Sequence, residues 1–340
     1  MTATVPDPRF DHLSRMTDRR GTFEHACFAE PRPEYGYCTD DMARVLVVAT
    51  REPNSGGDVN RLARVAVQFL NDAQSYAGPC RNRMDSRGAW EDEPSLKDWW
   101  GRCIWGLGTA AAHSDVGLVR GLAVIQFERA AKVRSPWPRA MAFAALGAAE
   151  LLCVDPGQPA ARALLADYAE TVAKPNGDAA WPWPEPRLTY ANAVLPEAMI
   201  AAGVALDDST LRQQGLDLLG WLVEYETAGG HLSPTPVGGR GPDDLRPAFD
   251  QQPIEVSTLA DACARAAAVD TGSIWPDGIL AAAAWFMGVN DARQLMCDPH
   301  TGGGFDGLQA DGVNRNQGAE STLAVLSTMQ HARRFSTVRQ

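Results

Sequence analysis

A chain of 340 residues, 45% hydrophobic and 21% charged, has room for a large core and the composition of a globular protein, which excludes the disordered class. Its 42 acidic residues outnumber the 31 basic ones, for a formal net charge of −11, and no Lys/Arg-rich block interrupts the chain, which argues against a nucleic-acid partner. No segment is long and apolar enough to span a bilayer, and the opening MTATVPDPRFDHLSR lacks the charged-then-apolar order of a secretory signal.

Apolar residues recur with a helical period nearly everywhere, and no convincing alternating strand is found. Helices are expected to begin near Thr39, Val59, Asp98, Gly117, Pro136, Pro159, Tyr190, Ser209, Pro253, Trp275 and Gln317, with one more within Asp7 to Ala29. The breaks between them, such as REPNSGG, KPNGD, SPTPVGGRGPDD and CDPHTGGG, carry Gly, Pro, Asn and Asp. None is long and low in complexity, so a single domain over 1–340 is expected, with 1–20 and 333–340 peripheral.

The predicted helices are of two kinds. ARVLVVA, RAMAFAALGAAELL and STLADACARAAA are apolar nearly all round, whereas VNRLARVAVQFLNDAQ and STLRQQGLDLLGWLVEYE have a charged face. A helix apolar on every side is buried and an amphipathic one lies at the surface. The two kinds alternate, which predicts an all-α fold of helical hairpins in two concentric rings, with about six units.

The inner helices share an acidic first turn. TDDMARVLVVA places Asp40 and Asp41 there, with Thr39 as the expected N-cap. Glu197, Glu255 and Glu320 occupy the same place in three other Ala-rich helices. Each acid alone reads as a cap or a dipole partner. Together they are expected to converge at one mouth, with Asp40, Asp41, Glu255 and Glu320 as the catalytic set. Asp41 shares a face with Val45 and Val48, so it is the preferred member of its pair, and Arg44 at i+3 is its expected partner.

Residues suited to recognising a neutral sugar surround these acids. Asn192, Gln251, Gln252, Asn316 and Gln317 are amides beside the acidic turns, and Glu197, Asp306 and Glu185 add acceptors. Arg102 is an available cation, with Arg246 and Arg315 elsewhere. Among the ten tryptophans, Trp99, Trp100 and Trp183, with Tyr190, are expected in loops that offer flat apolar faces. Trp183, Tyr190 and Gln252 are placed on the cavity wall. Seven dispersed cysteines without a CxxC pair fit reduced thiols, and a cytoplasmic location is expected. His25, Cys27 and Cys38 could be drawn together around a metal, but their spacing is not that of a zinc site, so no metal and no cofactor are expected.

Six blocks carry a resemblance: GYCTDDMAR, GRCIWGLGT, SPWPRAMAFAALG, LTYANAVLPEAMI, FDQQPIEVSTLADA and GGGFDGLQADGVNRNQGAESTLA. They are similar to successive blocks of a bacterial family in the six-hairpin, (α/α)6-barrel glycosidase-like superfamily, from about Gly21 to Gln330. The resemblance implies an (α/α)6 barrel and a carbohydrate-active function. Family members resemble neighbours of sugar-processing genes, including glycosyltransferases and mannoside phosphorylases. Two positions depart from the pattern. Asp98, Trp99 and Trp100 stand where the family has an acid and small residues, and Ala191 stands where it tends toward Asp.

The expected activity is an inverting glycoside hydrolase on an oligosaccharide or glycoside, with paired carboxylates as acid and base. A glycoside phosphorylase or a sugar epimerase on the same scaffold is the alternative. A phosphorylase needs a cationic anion site, and an epimerase of this scaffold a pair of cavity histidines. A glycan-binding protein without catalysis is the reading of another class. Neither nucleic acid nor membrane is expected as a partner.

Overall fold

The computed structural model describes residues 5–336. Residues 1–4 and 337–340 of the terminal segments expected to be peripheral lie outside them. The described residues contain α1 (Asp11–Arg15), α2 (Thr39–Arg51), α3 (Gly57–Ala73), α4 (Asp98–His113), α5 (Gly117–Ala130) and α6 (Pro138–Val154). These are followed by α7 (Pro159–Thr171), α8 (Val194–Ala205), α9 (Ser209–Tyr225), α10 (Pro253–Ala267), α11 (Ile274–Phe286) and α12 (Ala319–Ser336). The long helices begin within a few residues of their expected starts. Strands, which the periodicity did not show, are present as antiparallel pairs too short to alternate. They are β1 (Ala26–Cys27) with β2 (Glu30–Pro31), β3 (Tyr37–Cys38) with β4 (Arg83–Met84), β5 (Thr227–Ala228) with β6 (His231–Leu232), and β7 (Gly307–Gln309) with β8 (Gly312–Asn314). No helix among the described residues is long and apolar enough to cross a membrane.

The chain divides into two compact units. The amino-terminal unit comprises Leu13–Val172 and Ala201–Arg212. Here α2, α4 and α6 are buried nearly all round, while α3 and α7 each bury one face, as the two patterns predict. Helix α4 packs between α2 and α6 at backbone distance. A Cβ on Gly101 would lie 2.1 Å from the Ala140 carbonyl, and one on Gly108 would lie 2.0 Å from that of Gly147. A Cβ on Gly106 would lie 2.8 Å from the carbonyl of Ala43 on α2. Residues 101 and 108 meet 140 and 147 at the same offset in sequence, so α4 and α6 run parallel and begin at the same end.

The second unit takes its described residues from 5–12, 173–200 and 213–336. Its buried helix α10 packs on α11 and α12. Asp261 on α10 is pinned to α12 by His331 Nε2 at 2.6 Å and by the Ser327 hydroxyl at 2.9 Å. The buried Asp261 carboxylate is thereby hydrogen-bonded, the condition for burying it.

The glycine contacts generate a stability prediction. Gly108→Ala drives a methyl into the Gly147 backbone and is expected to cost about 3 kcal/mol. Gly121→Ala, on the open face of α5 where nothing lies within 4 Å, is expected to gain about 1 kcal/mol by helix propensity. Urea midpoints compare the two; equal midpoints would refute the close packing.

Candidate active site

Parallel packing brings the beginnings of α2, α4 and α6 to one end of the amino-terminal unit. The β3–β4 pair delivers the chain into α2, and this moves the cap. Cys38, not Thr39, is the N-cap, its sulfur accepting the Asp41 N–H at 3.5 Å. Thr39 is the first helical residue, and its hydroxyl donates to the Arg81 carbonyl at 2.7 Å.

Asp40 and Asp41 point different ways from this turn. Asp41 has a side chain only 4% exposed and is paired with Arg44 Nη1 at 2.8 Å, the i+3 partner expected from the sequence. The Cys38 thiol donates to its other oxygen at 3.1 Å. Burial, and then the charges of Asp41 and Asp40, push this thiol well above its ordinary range, so it stays a donor and is no nucleophile. Asp40 is 19% exposed and pairs across to α4, with Arg102 Nη1 at 3.1 Å. The Arg102 guanidinium lies over the Phe143 ring of α6, 4.7 Å from its centroid. Trp105, one turn further along α4, packs against Phe143 at 5.5 Å. Three buried helices thus meet through Asp40, Arg102, Phe143 and Trp105, with the Asp41–Arg44 pair beside them on α2.

Donor atoms of Glu24, Cys38 and Asp41 lie within 4.8 Å of one another, the spacing of a metal-ligand set. Arg83 is bonded to Glu24 and Arg44 to Asp41, so guanidinium already balances both carboxylates. A metal would also have to deprotonate the buried thiol. The residues fit a hydrogen-bonded ion cluster better than a cation site. Of the trio considered from the sequence, only Cys38 belongs to this group, and Cys27 is exposed.

Glu255 and Glu320 lie in the other unit. The Glu255 carboxylate accepts from the Ala191 N–H, from the Asn192 N–H at 3.2 Å and from Asn192 Nδ2 at 3.1 Å. Ala191 has φ of 45°, a left-handed conformation costly for alanine. Glu255 therefore clamps the turn that leads into α8. Glu197 pairs with Arg265 at 3.0 Å and is buried. Asp306 caps α12, accepting from the Gly318 N–H and the Ser321 hydroxyl, both at 2.8 Å. Gln317 accepts from the Thr301 hydroxyl at 2.6 Å and donates to Asp298 at 3.2 Å. The Asn316 carbonyl accepts the Asp306 N–H. Gln251 is buried, donating to Asp291 at 2.7 Å and accepting from Trp285. Gln252, Glu185 and Glu320 are half-buried, and Tyr190 is exposed.

The tryptophans fall differently from expectation. Trp99 and Trp100 are in the first turn of α4, not a loop. Trp100 is fully buried and donates to the Ala130 carbonyl at 3.2 Å, and Trp183 is fully buried, stacked on Trp221 with centroids 6.0 Å apart. Both belong to the packing, because a ring flanked by prolines or charges can still face inward. Trp99 is half-buried with its indole on the Cys80 carbonyl. Arg246 lies over Tyr225, and Arg315 is exposed.

The sequence reading missed Asp250 as well as Trp105 and Phe143. Burial raises the Asp250 carboxyl above the usual range against a hydrogen bond from Gln309. Its Oδ1 has no hydrogen-bond partner among the described residues and lies close to Gly307, where a Cβ would be 2.5 Å from it. Its place immediately before the amides of FDQQP was the available signal.

No family model and no curated protein matches the sequence. Solved structures do. A sugar epimerase from a ruminal bacterium aligns with a TM-score of 0.70 at 13% identity, covering 97% of each chain. Cellobiose 2-epimerase from Bacillus thermoamylovorans gives 0.69 at 10% identity over 95% of each chain. An α-1,6-mannanase of a Salegentibacter species gives 0.64 at 9% identity over 96% of each chain. That mannanase is an inactive variant with two adjacent aspartates replaced by alanine, in complex with α-1,6-mannotetrose. Likeness over the whole length at such identities shows the fold alone: this chain has an (α/α)6-barrel fold.

Proposed function

We propose that this protein is a carbohydrate-active enzyme that hydrolyses a glycosidic bond, with Asp40 as the carboxylate that meets substrate or water and Asp41 as the neighbour that positions its turn. The observation that carries the reading is the adjacent acid pair at the start of a buried helix, each member matched to its own arginine. The mannanase of the same fold, inactive when two adjacent aspartates are replaced, supports it.

Hydrolysis needs one carboxylate as base or nucleophile and a proton donor for the leaving oxygen. Asp40, held across the helices by Arg102, is placed for the first role. The sequence favoured Asp41 within the pair. Its contacts with Cys38 and Arg44 suit it better to positioning, and the greater exposure of Asp40 makes Asp40 the residue to meet substrate or water. Glu255, expected as a catalytic partner, is assigned to holding the Ala191–Asn192 turn.

Epimerisation is the second reading, favoured by the TM-scores of the two epimerases. Such chemistry moves a proton on and off carbon and suits histidine. Here His113, His231 and His331 are bonded to Glu150, Asp291 and Asp261, and His12 to the Gln317 carbonyl. These four are held by protein partners, whereas His25 is exposed beside Glu24, at 3.8 Å.

Incubation with α- and β-linked manno-, gluco-, galacto- and arabino-oligosaccharides, with and without phosphate, separates the reactions. New reducing ends at a stoichiometry independent of phosphate are expected. Sugar 1-phosphates would replace the reading with phosphorolysis, and an altered configuration at constant chain length with epimerisation. On the substrate found, Asp40→Asn is expected to lower kcat by roughly 10²–10⁴ while the fold is kept. Wild-type turnover in a folded variant would remove Asp40 from the mechanism. Glu255→Gln is expected to lower the melting temperature more than kcat, and the reverse would restore it as a catalytic candidate.

The reading also requires no metal. Dialysis against EDTA is expected to leave turnover intact. Loss of activity restored by a divalent ion would recast Glu24, Cys38 and Asp41 as ligands.

A further inference from the structure

We propose that Trp137 is a stacking platform for one sugar ring of an extended glycan, one ring outward from the Asp40–Arg102 pair. The inference rests on the sugar-processing reading and adds a residue that recognises chain length.

Position comes first. In the parallel register of α4 and α6, Arg102 is level with Met141. Trp137 stands four residues earlier, about 6 Å outward along the axis at 1.5 Å per residue. That step is comparable with one pyranose unit. Trp137 is the N-cap residue of α6, so it lies at the end of the unit where Asp40 and Arg102 meet.

The ring is exposed while its backbone is fixed. Trp137 is 55% exposed, although an indole is among the most apolar surfaces a protein can present. Pro136 and Pro138 flank it and fix their own φ angles. Its N–H donates to the Ser135 hydroxyl oxygen at 3.1 Å, and that hydroxyl donates to the Leu96 carbonyl at 2.6 Å, just before α4. Its carbonyl accepts the Met141 N–H at 3.0 Å. A ring carried on a pinned backbone loses little freedom when it binds.

A second observation points to a ligand at this end. Arg102 Nε and Trp105 Nε1 are buried donors with no hydrogen-bond acceptor in the described residues, in side chains themselves more than nine-tenths buried. Unpaired buried donors are rare, and they call for an oxygen-rich partner. A sugar supplies acceptors through its hydroxyl and ring oxygens and an apolar face for the indole. The committed occupant is therefore a neutral oligosaccharide.

The test follows the Trp137 indole N–H by ¹H–¹⁵N NMR in the full-length chain, assigned by its absence in Trp137→Phe. The probes are mannose, α-1,6-mannotetraose, glucose and cellotetraose. A tetrasaccharide is expected to shift this signal and its monosaccharide to leave it in place. Trp137→Ala is expected to raise the dissociation constant for that tetrasaccharide about tenfold, with Trp137→Phe between the two. A silent Trp137 signal with all four probes overturns the proposal, and so does unaltered tetrasaccharide affinity in folded Trp137→Ala. If the signal shifts but no bond is cleaved, the platform stands and the hydrolase reading falls. If a tetrasaccharide is cleaved while Trp137 stays silent, the hydrolase reading stands and the platform falls.

Discussion

The amino-terminal unit depends on helices that touch through their backbones. Gly101, Gly106 and Gly108 give α4 a face without side chains toward its neighbours, and Gly147 does the same for α6. Such an approach removes the freedom to slide, because a shift of one residue would set a methyl against a carbonyl. The fixed register determines which side chains meet at the helix starts. Arg102 reaches Asp40 because Gly106 has settled α4 against Ala43, and Phe143 receives the guanidinium because Gly101 has settled α6. The polar cluster is a consequence of the glycine contacts.

Charge then separates acids that look alike. A carboxylate taken out of water needs a compensating group, and the compensation shapes what it can do. Glu255 receives three N–H donors from one turn, Glu197 a guanidinium, and Asp306 the cap of a helix. These arrangements use the carboxylate to hold the chain. Asp40 receives one arginine from a neighbouring helix and keeps part of its surface open. Its contact fixes a charge without closing off the group.

What the sequence could disclose follows the range of the forces involved. Helix positions were legible because period, proline and first-turn acids act within a few residues. The pairing of Arg44 with Asp41 was legible for the same reason, at i+3 on one helix. Arg102 with Asp40, and Glu255 with Ala191 and Asn192, were not, because each joins elements about sixty residues apart and depends on packing register. The cap moved from Thr39 to Cys38 because the β3–β4 pairing, a non-local contact, fixes the extended backbone before the helix. Trp100 and Trp183 show a different limit. Aromatic residues beside prolines or charges have the same local signature whether they face water or the core, and only the neighbouring helices decide.

The asymmetry within the Asp40–Asp41 pair follows from helical geometry. Successive residues on a helix are about 100° apart, so adjacent acids never share a direction. When the helix is buried, one of the two must turn into its own surroundings while the other looks to the next helix. Asp41 took the inward direction and acquired Cys38 and Arg44, both from its own segment. Asp40 took the lateral one and acquired Arg102 from α4. The pair thus holds one carboxylate fixed by short-range contacts and another held by a contact between two helices. A ligand reaching the exposed part of Asp40 would act on it first, and Asp41 would feel it only through the turn they share.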